Sequence, residues 1–215
     1  FLFGRTSKAW ANAAYLRGKT YLWQTDLSMV IMQFQGHGLA GWDLARAAGG
    51  AGTWLETAVV VPDAFRKASL NTADAYWRIT AGADYSFPGG WTGFAEYHFN
   101  GAGTREPEFY LSRIQGMAYG AGKVYLLGKH YGILGAGYTA TPLWTLRSRF
   151  LVNLTDGSLM VGPGAQYNIA QNVDILLSGF WSPGEGPGSG SGMPVPESEF
   201  GLYPDFLYFS FQFYY

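Results

Sequence analysis

The last eleven residues, Asp205 to Tyr215, alternate strictly in side-chain character and stop on an aromatic residue. Leu207, Phe209, Phe211, Phe213 and Tyr215 fall on one face, and Phe206, Tyr208, Ser210, Gln212 and Tyr214 on the other. A strand sends successive side chains to opposite sides, so one side here is a continuous apolar and aromatic strip. At the end of a soluble sheet such a strip is an exposed, aggregation-prone edge, unless it lies buried in a sandwich. A sheet closed on itself in lipid removes the edge and uses the strip.

The same dyad repeat runs back through the chain. From Ala75 to Phe87 the odd positions carry Trp77, Ile79, Tyr85 and Phe87, and the even ones Tyr76, Arg78, Thr80, Asp84 and Ser86. After the turn signal Pro88-Gly89-Gly90, Trp91, Ala95, Tyr97 and Phe99 oppose Thr92, Glu96, His98 and Asn100, which predicts a hairpin. Trp144, Leu146, Phe150, Val152 and Leu154 face away from Thr145, Arg147, Arg149 and Asn153. Val173, Ile175, Leu177 and Trp181 likewise face away from Asp174 and Ser178. Amphipathic helices repeat at every third or fourth position instead. Between Thr25 and Val61 the strand pattern is broken at Val30, Met32 and Arg46, and residues 1–24 read either as extra strands or as a short Ala- and Leu-rich helix. The reading gives about ten strands from Thr25 onward and ten to twelve in all, each near the ~9–11 residues that cross a bilayer when tilted. It makes residues 1–215 one domain, an all-β antiparallel up-and-down transmembrane barrel, with a part of a longer barrel left open.

Connection lengths support this. Short turns are expected at Gly49 to Gly52, Pro88 to Gly90, Thr141 to Leu143 and Ala170 to Asn172. Longer segments, Pro62 to Asp74, Gly101 to Lys123 and Pro183 to Pro204, belong to the other side, with brief exceptions at Gly36 to Gly38 and Asp156-Gly157; there Glu106 to Ala121 is expected to be partly helical and Gly184 to Gly192 flexible.

Composition narrows the partners. Charged residues make up 13% and aromatics 18%, far from the roughly 25% charge of an ordinary soluble domain. No apolar run approaches the ~20 residues of a spanning helix. A net charge of −1 with scattered Lys and Arg gives no nucleic-acid footprint. With no Cys there is no disulfide or thiolate metal site, and His37, His98 and His130 stand at separations that form no local metal motif, so neither metal nor cofactor is expected. Gly116 to Lys123 superficially resembles a phosphate-binding loop but has its first Gly misplaced and Val124 where Ser or Thr is required.

The candidate functional residues are those facing the lumen: Arg78, Asp84, Glu96, His98, Arg147, Arg149 and Asp174. His98 shares a face with Glu96 and is within expected reach of Asp84 or Arg78, but no activated Ser accompanies it, so no enzyme activity is expected. Arg147 and Arg149 are like charges two residues apart; they require carboxylate partners on neighbouring strands or an anionic solute. Trp77, Phe87, Trp91, Trp144, Tyr167, Trp181 and Tyr215 sit near the ends of apolar faces and are assigned to interfacial aromatic belts. Arg at Leu177 or Val152, on the lipid face, is expected to block insertion, and replacement of Ser178 or Asn153 to be tolerated far better.

Val124 to Tyr131, Thr141 to Trp144, Val152 to Ser158 and Ser198 to Pro204 together resemble a group of poorly characterised Gram-negative outer-membrane porin-like β-barrels, over residues 75–215. The aromatic carboxy terminus is similar to the signal that assembly machinery reads in such barrels, with Tyr in place of the commoner Phe. The resemblance implies an outer-membrane location, with outer-membrane lipid and the barrel assembly machinery as partners, and no substrate; the alternation of short and long connections puts Tyr215 on the periplasmic side. The functional expectation is a porin-like channel for small hydrophilic solutes. A structural barrel that sheathes or anchors a partner protein is the alternative and a barrel hydrolase the third, with oligomerisation left open.

Overall fold

The computed structural model describes residues 2–3, 12–65, 74–120, 124–186, 188–190 and 193–214. Twelve strands form one antiparallel sheet in which neighbours in space are neighbours in sequence. They are β1 (Leu2–Phe3), β2 (Ala13–Leu22), β3 (Thr25–Phe34), β4 (His37–Ala48), β5 (Ala51–Val61), β6 (Tyr76–Phe87) and β7 (Trp91–Asn100), followed by β8 (His130–Thr141), β9 (Trp144–Asn153), β10 (Leu159–Ala170), β11 (Val173–Phe180) and β14 (Phe206–Phe213). Between the last two, β12 (Gly188–Gly190), inside the segment Gly184 to Gly192 expected to be flexible, and β13 (Met193–Val195), just after it, make a small separate ribbon. Ten of the sheet strands lie from Thr25 onward, matching the sequence reading, and the ambiguous amino-terminal segment resolves into strand rather than helix at Ala13–Leu22.

The hairpins explain this order. At one end every described connection is tight: residues 23–24, 49–50, 88–90, 142–143 and 171–172. Trp23 and Gln24 (φ 50 and 59) and Gly49 and Gly50 (φ 58 and 86) take the left-handed conformations of a two-residue turn whose twist matches that of paired strands. The other end carries residues 62–75, 101–129 and 181–205, with short links at 35–36 and 154–158.

Register then lines up the dyads. Ala95, Leu134 and Phe150 are consecutive cross-strand partners, and so are Leu146, Ala165, Leu177 and Phe209. One face is therefore mainly apolar from β2 to β14, with Gln33, His130, Ser148 and a few threonines among its polar members. Its only Lys, Arg, Asp or Glu among the described strand residues is Arg46, close to the short-turn end, where a long side chain can carry its charge out to water. Leu207 is 78% exposed, Leu16 74% and Phe209 62%, so among the described residues nothing covers this face at these positions. A contiguous apolar surface on this scale marks an interaction surface for another apolar phase. Val30 and Met32, which broke the alternation, lie on the opposite, polar face. The described residues leave β2 paired on its outer side only at Ala13 and Ala14, and β14 without a partner on its outer side.

Buried apolar side chains gather at the long-connection end. Val60, Tyr76 and Val124 form a small cluster against Phe34, Leu39 and Tyr119, and Tyr110, Leu127, Tyr131 and Phe200 are buried nearby in sequence and hydrogen-bonding terms. The segment 101–129 contributes two short helices there, α1 (Tyr110–Ile114) and α2 (Met117–Gly120), as expected for part of Glu106 to Ala121.

Candidate functional site

The polar face divides into a wall along the strands and a cap of connections at one end. All seven sequence-derived candidates lie on the wall, because each occupies the same phase of its strand. They do not form one cluster. Glu96 accepts a hydrogen bond from Trp54 Nε1 at 3.1 Å, and the Trp54 ring lies over Gly82, where a Cβ would fall 2.4 Å from it. His98 Nδ1 is 2.8 Å from Thr80 Oγ1, so its hydrogen-bond partner is a threonine hydroxyl rather than Asp84 or Arg78. Asp174 accepts from Asn168 Nδ2 at 2.9 Å and Gln166 Nε2 at 3.2 Å, beside the turn at 171–172. Arg78 faces Ala58 and Asn100 across its neighbours.

Arg147, Arg149 and Asp84 share one recess of about 370 Å³, also lined by Thr92, Phe94, Thr139 and Thr145. Arg149 pairs in register with Gly135 and Gly162, and Arg147 with Gly137 and Gly164, so both arginines stand between two strands that offer no side chain at that level. The glycine lanes are roofed from the far side: a Cβ on Gly135 would fall 2.0 Å from the Phe94 ring and one on Gly162 3.1 Å from the Phe180 ring. Among the described residues the ion pairs are Arg17–Asp43 and Lys19–Asp26, each at 3.3 Å. Neither involves Arg147 or Arg149, so the carboxylate pairing weighed from sequence is not made.

Sequence reasoning missed two groups. Arg17, Lys19, Asp26, Asp43 and Glu56 extend the charged wall over β2 to β5. Their signal was the alternation of Tyr15, Arg17, Lys19 and Tyr21 against Leu16, Gly18, Thr20 and Leu22. The second is the cap around Glu199, which is 0% exposed. Its carboxylate accepts from Leu127 N at 2.9 Å, Gly128 N at 3.2 Å, Asn153 Nδ2 at 2.8 Å and the Tyr131 hydroxyl. Asp156 accepts from Tyr110 Oη at 2.8 Å, Asn153 Nδ2 at 3.0 Å and the Glu199 backbone N–H at 2.8 Å. Burial pushes the Glu199 carboxyl above the usual range despite its donors, with Asp156 adding in the same direction. Burial and the bond to Asp156 raise the Tyr110 phenol too. Three of the sequence runs that carried the family resemblance, 124–131, 152–158 and 198–204, meet here.

The belt candidates Trp77, Phe87, Trp91, Trp144, Tyr167 and Trp181 all lie on the apolar face, near strand ends; Tyr215 lies outside the described residues. Trp91 stacks on Tyr138 with ring centroids 4.3 Å apart, and Trp144 on Tyr167 at 4.5 Å, so the short-turn end carries cross-strand aromatic pairs.

No protein-family model and no curated protein matches the chain. Among solved structures, outer membrane phospholipase A from Escherichia coli is similar at 10% identity over 94% of this chain and 77% of that one, with a TM-score of 0.44. A mutant of Rh. blastica porin is similar at 13% identity over 79% and 84%, with a TM-score of 0.35. A triple mutant of Rhodopseudomonas blastica porin is similar at 14% identity over 79% and 84%, also at 0.35.

Proposed function

We propose that this chain is an integral outer-membrane β-barrel protein of Gram-negative type, acting as a porin-like channel for small hydrophilic solutes rather than as an enzyme. The observation that carries the reading is the sorting of charge: apart from Arg46, every Lys, Arg, Asp and Glu of the described sheet strands lies on the polar face, and the opposite face is mainly apolar and bare. That division suits a wall with lipid on one side and water on the other. Aromatic side chains near both strand ends on the bare face suit the two headgroup levels. In this reading the sheet curls with its polar face inward, and its outer edges at β2 and β14 are satisfied by closure or by further strands, since unpaired backbone groups in hydrocarbon are costly. The seven wall residues then line the lumen, and assembly is through the carboxy-terminal strand.

The cap favours a second reading. Glu199 ties the segments 101–129 and 181–205 and the link 154–158 together at one end of the polar face. A barrel closed there would serve as a scaffold or sheath for a partner protein. Planar-bilayer conductance of the purified, folded chain separates the two: stepwise ion current supports the channel, and a sealed bilayer with folded protein inserted supports the scaffold.

A further inference from the structure

Arg147 and Arg149 are two cations set side by side on the wall with no ion pair among the described residues. The Cα atoms of residues two apart on a strand are separated by about 6.6 Å, so two guanidinium groups share one side of the recess. Like charges at that spacing repel, and no carboxylate among the described residues lies within ion-pair distance of either. The cross-strand neighbours of both are glycines, Gly135, Gly137, Gly162 and Gly164, and the space over these is taken by the Phe94 ring, Thr92, the Phe180 ring and Ser178 rather than by an acid. Asp84 lines the same recess but makes no ion pair with them.

The rest of the recess has a chemical direction. Next to the cationic side stand the hydroxyls of Thr92 and Thr145, and at the level of Arg149 the Phe94 ring lies over Gly135. Its volume of about 370 Å³ is at the lower end of the ~300–1,000 Å³ of small-molecule sites. Guanidinium forks bind carboxylate and phosphate through paired N–H···O bonds, and an aromatic ring one strand away gives an apolar body somewhere to lie.

We propose that this recess binds a small organic oxyanion, a carboxylate or phosphate carried on a ring, with the head group on Arg147 and Arg149 and the ring against Phe94. The inference rests on the channel reading only in that solute reaches the recess from an aqueous interior.

Calorimetric titration of the full chain folded in detergent tests it without requiring conduction. The probes are sodium benzoate and phenyl phosphate, with acetate and inorganic phosphate as ringless counterparts. Both ring-bearing probes are expected to bind more tightly than their counterparts, and the tighter of the two names the head group. In R147Q/R149Q affinity should fall by roughly tenfold or more, in F94A by about fivefold for ring-bearing probes only, and in R78Q hardly at all. Since neither recess arginine holds an ion pair, the double variant should fold, as checked by circular dichroism; R149Q alone serves if it does not. Absence of binding to folded wild-type protein, binding that survives R147Q/R149Q, or an equal loss in R78Q overturns the proposal. Bilayer conductance run in parallel keeps the two readings apart: binding without conduction rejects the channel alone, and conduction without binding rejects the recess alone.

Discussion

Strand β9 handles polar groups in two opposite ways. Arg147 and Arg149 are exposed, flanked by glycines and without a carboxylate partner, while Asn153, four residues further along the same face, is fully buried and donates to Glu199, Asp156 and Tyr110. The difference teaches where order is held and where freedom is left. A buried carboxylate persists only if its hydrogen bonds are met, so the cap is a closed, mutually dependent network. A solvated arginine pair needs no partner to persist and stays available to a solute.

Breaking the cap should give the largest effect. Glu199→Leu removes the acceptor of the Leu127 N–H and of the Tyr131 hydroxyl, and one of the acceptors of the Gly128 N–H and the Asn153 amide, and should cost on the order of 4 kcal/mol in denaturant unfolding. Asn153→Ala should also be costly, because its buried amide donates to Glu199, Asp156 and Tyr110; a cost within about 0.5 kcal/mol, the usual range of surface changes, would reduce the cap to decoration.

Next in size is charge on the bare face. Leu177→Arg should hinder folding into vesicles by about 2–4 kcal/mol, as expected for a cation near mid-strand in lipid. Its neighbour Ser178 has only a hydroxyl bond to the Pro163 carbonyl at 3.1 Å, and Ser178→Arg should be tolerated far better. Equal costs at the two positions would remove the distinction between faces.

Replacing both arginines of β9 should hardly change stability. R147Q/R149Q is expected to shift unfolding by less than about 1 kcal/mol, because no ion pair is lost. A loss as large as that for Glu199→Leu would mean that the arginines are structural and the contrast along β9 is false.

The smallest effect concerns pH. Glu199 has a folded pKa raised above its unfolded value by burial. A carboxyl of that kind contributes stability that is fully present below the ordinary carboxylate pKa and is lost as pH rises through the raised value. A fluorophore on the 181–205 segment should therefore report a tighter cap in mild acid and a looser one toward neutrality, and Glu199→Gln should flatten the profile. A cap that loosens on acidification would reverse the sign and show that the four donors outweigh burial.

The strands were legible because their period of two is local: Trp77 to Phe87 and Trp91 to Phe99 announce their faces without reference to any other segment. β2 was not, because Ala13, Ala14 and Leu16 suit a helix as well as a strand and only pairing with β3 decides. The face of each wall residue followed from phase, but its partner follows from register, which is why His98 was placed correctly and Thr80 was not foreseen beside it. Glu199 had no local signal at all. It lies in an irregular connection, and its partners come from residues 127–131 and 153.

The absence of cysteine in the natural chain makes the central claim directly measurable. Single cysteines placed in turn from Thr145 to Val152 on β9, in protein folded into liposomes, report which side of the wall each residue faces. With lipid on one side and water on the other, cysteines at Thr145, Arg147 and Arg149 should react with a water-soluble thiol reagent, while those at Leu146, Ser148, Phe150 and Val152 should be protected and accessible to a lipid-soluble quencher. Uniform reactivity along the strand, or protection at the arginine positions with reaction at Leu146 and Phe150, would contradict a sheet that stands in a membrane with its polar face inward.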